Sequence, residues 1–202
     1  PCKDVPSGIK YCKKDGKFFE IGEEPSQGKR TDIDNVRHLL TSGSGMRQVV
    51  DVAKSYQSCK MGEIYLKYRE RKRDYKPTCV WFYGDSGTGK TRKAMEEAEA
   101  LVNKDEIYMT GGDNKWFDGY DAHKVVIIDD IRPGFMSFND LLRLFDRYEM
   151  RVEHKGGSRQ FLAKHIFVTS PTHPTQLFEA IVHCENLDQL TRRFDRIEKI
   201  IF

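Results

Sequence analysis

The clearest hydrophobic pattern is a set of short, fully apolar runs separated by stretches of helical period. Cys79-Val-Trp-Phe-Tyr83 and Val125-Val-Ile-Ile128 carry no polar residue, as expected of strands covered on both faces of a parallel sheet. Glu106-Ile-Tyr-Met109, His165-Ile-Phe-Val-Thr169 and Ile197 to Phe202 read as further strands. Between them, Arg92 to Leu101 and Ser137 to Arg147 have helical spacing, the second with Leu141, Leu142, Leu144 and Phe145. Polar helices are predicted from after Thr169 to about Phe194. Arg151 to Lys155 and Arg159 to Ala163 flank Gly156-Gly157, a pair suited to a tight hairpin reversal. The whole predicts an α/β domain with a parallel sheet flanked by helices.

The first third is different. Ile9 to Gly16 reads as a helix end or turn, Lys17 to Gly22 as a short strand, and Glu23 to Lys29 as a linker. From Thr31 the pattern is helical: Thr31 with Asp34 suits an N-cap, and Ile33, Val36, Leu39 and Leu40 share a face. Thr41-Ser-Gly-Ser-Gly45 interrupts it, and helices are predicted over Met46 to Tyr56 and Met61 to Arg73. Their apolar surface is too small for an independent core, so they are expected to pack on a partner subunit.

One stretch states a chemistry. Gly84-Asp85-Ser86-Gly87-Thr88-Gly89-Lys90-Thr91 is G-x-x-x-x-G-K-T, and it lies between a predicted strand and a predicted helix. That order lets glycine backbone wrap a nucleotide's phosphates at a helix N-terminus, with Lys90 reaching the β and γ phosphates and Thr91 offering its hydroxyl to Mg²⁺. About forty residues downstream, the second apolar strand ends in Asp129-Asp130. Asp129 is the candidate to hold hydrated Mg²⁺, and Asp130 the candidate to orient or polarise the attacking water.

Composition narrows the setting. The 202 residues suffice for one α/β core plus an appendage, and 32% of them are charged. No apolar run approaches the ~20 residues of a membrane span, and no secretory h-region is visible. The chain does not open on Met and is expected to begin inside a longer protein. The five cysteines are odd in number without CxxC spacing, which argues against a zinc site or a disulfide framework and points to a reducing compartment. A net charge of +3 is too small to establish a nucleic-acid partner.

Read in order, Tyr11-Cys-Lys-Lys14, Gly28-Lys-Arg-Thr-Asp32, the phosphate loop, Trp116-Phe-Asp-Gly-Tyr120, Val125 to Asp130, Asp140-Leu-Leu-Arg-Leu144, His154-Lys-Gly-Gly157 and Arg192-Arg193 resemble the replication initiator (Rep) proteins of circular single-stranded DNA viruses, most closely those of circoviruses. The resemblance spans nearly the whole chain. It implies a superfamily 3 helicase domain of AAA+ type over 77–202, a helical oligomerisation domain over 29–76, and over 1–28 the tail of a rolling-circle endonuclease domain with its linker. It further implies ATP and Mg²⁺ as cofactors, single-stranded DNA as partner, a hexameric ring, no membrane, and the host nucleus as location.

The resemblance also assigns roles. His154 and Lys155 match the pore hairpin whose cation tracks the DNA backbone, and Arg192 or Arg193 the finger lent to a neighbour's γ-phosphate. Trp116, Phe117 and Tyr120 suit either stacking on bases or adenine, or core packing. Tyr11 and Lys14 match the nicking motif Tyr-x-x-Lys, but no histidine pair precedes Tyr11, so nicking is not expected and Tyr11 reads as an exposed loop residue. Where the family has a γ-phosphate-sensing Asn, this sequence has Thr169-Ser170-Pro171, leaving Thr169 or Ser170 to act as sensor.

Rival readings share the loop. A small-molecule or nucleoside kinase would not need paired acids followed by a basic hairpin, and an assembly module that binds ATP without hydrolysing it would not need Asp130. A GTP switch fails because Asn114-Lys115 is not followed by Asp at the N-K-x-D position.

Overall fold

A computed structural model describes residues 5–21, 30–113, 115–179 and 187–201. The linker Glu23 to Lys29, Gly22, Gly28, Asn114 and Phe202 lie outside the described residues. Five parallel strands form the main sheet: β1 (Thr78–Tyr83), β2 (Ile107–Gly111), β3 (Val125–Asp129), β6 (His165–Ser170) and β7 (Arg196–Lys199), in the order β2-β3-β6-β1-β7. A separate hairpin pairs β4 (Arg151–His154) with β5 (Gly157–Gln160).

Strand alternation divides the core in two. Cys79, Trp81, Val126, Ile128, Ile166 and Val168 face one side, where α6 (Phe138–Leu144) supplies Leu141 and Leu144. Trp81 is fully buried, meets Phe194 edge-on at 5.3 Å, and donates its indole N–H to the Thr172 carbonyl at 3.1 Å. Val80, Phe82, Val125, Ile127 and Phe167 face the other side, under α5 (Lys90–Leu101). There Ala94 and Ala98, one turn apart, are small enough to let the helix settle close on the sheet. The apolar runs lack polar residues because both faces are covered.

Sequence expectations shift at several places. Lys17 to Ile21 is not a strand: Phe18, Phe19 and Ile21 are exposed, and among the described residues no neighbouring strand offers the ladder partners a lone strand needs. Tyr11, expected in a loop, lies in the last turn of α1 (Val5–Cys12), 77% exposed, and Lys14 is exposed just beyond it. The hairpin reverses at Lys155-Gly156, one residue earlier than expected, because Gly156 takes φ +99° while Gly157 pairs with His154 in the ladder. Beyond β6 the described helices are α7 (Pro174–Glu179) and α8 (Asp188–Thr191).

The helices α2 (Thr31–Thr41), α3 (Met46–Val52) and α4 (Tyr56–Arg69) bury Val36, Leu40, Val49 and Leu66 among themselves. They thus form a small core of their own, contrary to expectation, while Val50, Val52, Tyr56, Ile64 and Tyr68 stay exposed. A buried charge network joins them to the sheet domain. Asp121 accepts the Met46 and Arg47 N–H groups at 2.9 and 2.8 Å, capping α3. A Cβ at Gly45 would lie 2.4 Å from Asp121 Oδ2, so the break before α3 requires glycine there. Arg159 of β5 binds Asp121 Oδ1 and Glu70 Oε1, both at 2.6 Å, with all three side chains below 10% exposure. Burial alone would raise the Asp121 pKa; the Arg47 and Met46 N–H groups and the Arg159 guanidinium outweigh it and hold the carboxyl below its ordinary range.

Candidate functional site

The strand order places the C-terminal tips of β1, β6 and β3 side by side, where ligands bind in open α/β sheets. The phosphate loop leaves β1 at Gly84. Gly84, Gly87 and Gly89 all have positive φ, and a Cβ at Gly84 would meet the Ile200 carbonyl at 2.4 Å, so the turn away from the strand excludes side chains. Gly89, at φ +85°, is the residue preceding α5, whose first turn starts at Lys90. The Lys90 ammonium donates to the Gly84 and Asp85 carbonyls at 2.8 and 2.6 Å, which keeps it over the loop. Thr88 donates to the Asp85 carbonyl at 2.9 Å, and Ser86 and Asp85 are exposed.

Asp129 lies at the tip of β3 on the α5 side. Its Oδ1 accepts the Thr91 hydroxyl at 2.7 Å and the Thr169 hydroxyl at 2.7 Å. Thr91 and Asp129 therefore present adjacent hard oxygens, the donor type Mg²⁺ selects, and these two side chains would hold such an ion. Among the described residues, no group of three or more His, Cys, Asp or Glu is placed to hold a metal ion.

Asp130 departs from the strand with φ +53°, a left-handed conformation uncommon outside glycine. Its N–H donates to Thr169 Oγ1 at 2.7 Å and its carboxylate pairs with Arg132 at 2.5 Å. Thr169, 1% exposed, thus bridges both acids. Ser170 is also buried but falls on the opposite face of β6, where its hydroxyl accepts the Thr172 N–H at 3.2 Å. The polar contact to the acids comes from Thr169 alone of the two. Lys90, Thr91, Asp129, Asp130, Arg132 and Thr169 line one cleft of ≈ 430 Å³. Larger hollows of ≈ 640 and 750 Å³ flank the helical segment, without phosphate-wrapping backbone or paired acids.

Arg192 and Arg193 stand elsewhere. Asp195 exchanges hydrogen bonds with the Cys79 backbone at 2.8 Å, which fixes this segment beside the start of β1, a strand length (about 20 Å) from the loop at its end. Neither arginine lines the cleft at the loop of its own chain. Arg193 is committed to Asp146 at 2.9 Å and to the Gln189 carbonyl, whereas Arg192 is exposed.

The hairpin tip carries Lys155, 79% exposed at its side chain. The tip is braced from the aromatic loop: the Lys155 N–H donates to Asp118 Oδ1 at 2.7 Å, and the Phe117 N–H to the Glu153 carbonyl at 2.8 Å. His154 meets the Lys155 carbonyl at 3.2 Å. Phe117 and Tyr120 are core residues, 1% and 3% exposed, which decides for packing over stacking at those two positions. Trp116 is 39% exposed, with the Lys115 ammonium 5.1 Å from its ring. Sequence reasoning missed Arg132 and the Arg159 network; Arg132, two residues after Asp130, had only that proximity as a signal.

A glycine loop at one strand tip, acids at the next strand but one, and a buried threonine at the tip of the strand between them define an α/β fold of P-loop type. Residues 80–172 match the RNA helicase family. The chain is 32% identical to the replication-associated protein of human associated cyclovirus 1 over 84% of this chain and 62% of that one. It is 32% identical to that of goose circovirus (92% and 61%) and 35% identical to that of porcine circovirus 2 (84% and 54%). The chain is thus similar to the circovirus-type replication-associated proteins, and it spans about three fifths of the length of the first two. A structure of Hsp104 with ATPγS and casein superposes with a TM-score of 0.45 at 15% identity, over 87% of this chain and 35% of that one.

Proposed function

We propose that this chain is the ATP-driven helicase part of a viral replication initiator, moving on single-stranded DNA as a ring, with six subunits by family resemblance. The observation that carries the reading is the shared oxygen of Asp129, bonded by Thr91 from the phosphate loop and Thr169 from the intervening strand, both at 2.7 Å. Lys90 and the loop N–H groups bind the phosphates. Thr91 and Asp129 hold Mg²⁺, which when bound offsets phosphate charge. Asp130 positions water and takes its proton.

Arg192 serves as the finger toward a neighbouring subunit's γ-phosphate, supported by its exposure and its distance from its own loop. Lys155 touches the DNA backbone, with His154 beside it. Residues 29–76 act as the oligomerisation segment through their exposed apolar side chains, preceded by 1–28 and followed by the ATPase domain over 77–202. The host nucleus is the site of action, and no described helix is long and apolar enough to cross a membrane.

The test is phosphate release by the wild type and Lys90→Ala, with and without single-stranded DNA. Turnover that DNA stimulates and the substitution abolishes supports the reading. Phosphate transferred to a nucleoside instead of water points to a kinase, and stimulation by single-stranded RNA alone moves the partner to RNA. Lys155→Ala checks the hairpin: removing one cation from a DNA phosphate on a single strand lowers the magnitude of the salt slope by ~0.7.

A further inference from the structure

Arg132 has no part in the mechanism above, yet it lines the same cleft as Lys90 and Thr91. Its backbone is pinned. The Asp130 N–H donates to Thr169 Oγ1 at 2.7 Å, the Ile131 N–H to the Thr169 carbonyl at 2.9 Å, and the Arg132 N–H to the Gly112 carbonyl at 2.8 Å. Gly112 lies so close that a Cβ there would be 2.2 Å from Ile131 Cα. Residues 130–132 are thus fixed between β6 and the loop after β2.

The two side chains are not fixed in the same way. Asp130 and Arg132 are 54% and 52% exposed at their side chains, and they pair with each other at 2.5 Å. A half-exposed pair is weak, because water screens it and ordering two side chains costs entropy. A phosphate with more than one negative charge offers a guanidinium a stronger, forked partner than one carboxylate does. An anion entering this cleft at Lys90 therefore competes with Asp130 for Arg132, and the competition is won most readily by the most highly charged phosphate.

We propose that Arg132 reads the γ-phosphate. Without it, Arg132 stays on Asp130 and masks the carboxylate; with ATP bound, the guanidinium moves to the γ-phosphate and leaves Asp130 open to water. The water oxygen then bonds to the γ-phosphorus as the bond to the β–γ bridging oxygen breaks. The proton passes to Asp130, and the electron pair stays on the β-phosphate of ADP. The inference rests on nucleotide occupying the cleft as proposed above.

Binding of ADP and of a non-hydrolysable ATP analogue to the wild type, Arg132→Ala, Arg132→Lys and Asp130→Asn tests it. Arg132→Ala is expected to lose about tenfold or more in affinity for the analogue and less than about twofold for ADP, since the charged hydrogen bond it removes is made to the γ-phosphate alone. Arg132→Lys should recover part of the loss. Asp130→Asn should tighten the analogue severalfold and leave ADP unchanged, because it removes the competing partner. Equal losses for both nucleotides in Arg132→Ala, or no loss for the analogue, overturn the inference, as does weaker analogue binding in Asp130→Asn. Failure of the wild type to bind either nucleotide would instead remove the underlying assignment of the cleft.

Discussion

Thr169 donates its hydroxyl hydrogen to Asp129 Oδ1 at 2.7 Å, while its own oxygen accepts the Asp130 N–H at 2.7 Å. One buried hydroxyl from β6 therefore sets the direction of the first acid and supports the left-handed backbone of the second. The family resemblance leads one to expect a γ-phosphate sensor at this position. The geometry shows a side chain already engaged with both acids, so an effect of Thr169 on a bound nucleotide would pass through them.

Thr169→Val keeps the branched shape and removes that hydroxyl. It leaves the Asp130 N–H without its acceptor and lets Asp129 rotate, so turnover is expected to fall about ten- to a hundredfold, on the scale of one buried hydrogen bond. Thr169→Ser should restore most of it. Steady-state phosphate release measures both, and wild-type turnover in the valine variant would assign Thr169 to packing.

The phosphate loop, both acids and the central strands were legible because each is a local pattern: a glycine spacing, an apolar run, a pair of acids at a strand end. Thr169 was legible only as a departure from a family pattern, since its two hydrogen bonds join residues that are close only in the folded sheet. The network of Glu70, Asp121 and Arg159 left no mark at all, because its members come from three segments and each reads locally as a solvated charge. Lys17 to Ile21 misled in the opposite sense: its aromatic and apolar residues suggest a strand, but strand formation depends on a neighbour that sequence spacing does not supply.

That network predicts a large stability effect. Arg159→Met should destabilise the protein by about 3 to 5 kcal/mol, because Glu70 would remain buried without its cation and Asp121 would keep only Arg47, at 3.5 Å. Adding Glu70→Gln and Asp121→Asn should recover much of the loss by removing the stranded charges. Urea unfolding of the single and triple variants measures this, and additive losses across them would show that the three residues act separately.

Acid should act through His123. Burial lowers its pKa below the ordinary value, aided by the nearby Arg47, and its Nδ1 accepts the Asp121 N–H at 3.1 Å. The unfolded chain therefore takes up a proton near pH 6.5 that the folded protein refuses, so stability is full above that value and declines as pH falls toward the lower folded pKa. Burial lowers His165 in the same direction, so the wild type should lose stability through two groups. His123→Asn should reduce the slope of unfolding free energy against pH between about 7 and 5 by up to one proton. An unchanged slope would show that His123 titrates alike in both states.

Arg192 and Arg193 should separate cleanly. Arg193 is tied to Asp146 at 2.9 Å, so Arg193→Ala is expected to lower stability, whereas Arg192→Ala should leave the fold intact and reduce turnover by about 10³ or more, the scale on which an arginine finger acts. If Arg192 is the finger, the same placement beside the start of β1 means that each working site is built from two subunits. Hydrolysis should then depend on protein concentration, and Arg192→Ala and Lys90→Ala should each be nearly inactive alone. When they are mixed, some interfaces bring an intact Lys90 from one variant against an intact Arg192 from the other, and part of the activity should return. If subunit exchange is demonstrated, by energy transfer between labelled copies, and turnover still does not recover, Arg192 is not the shared residue.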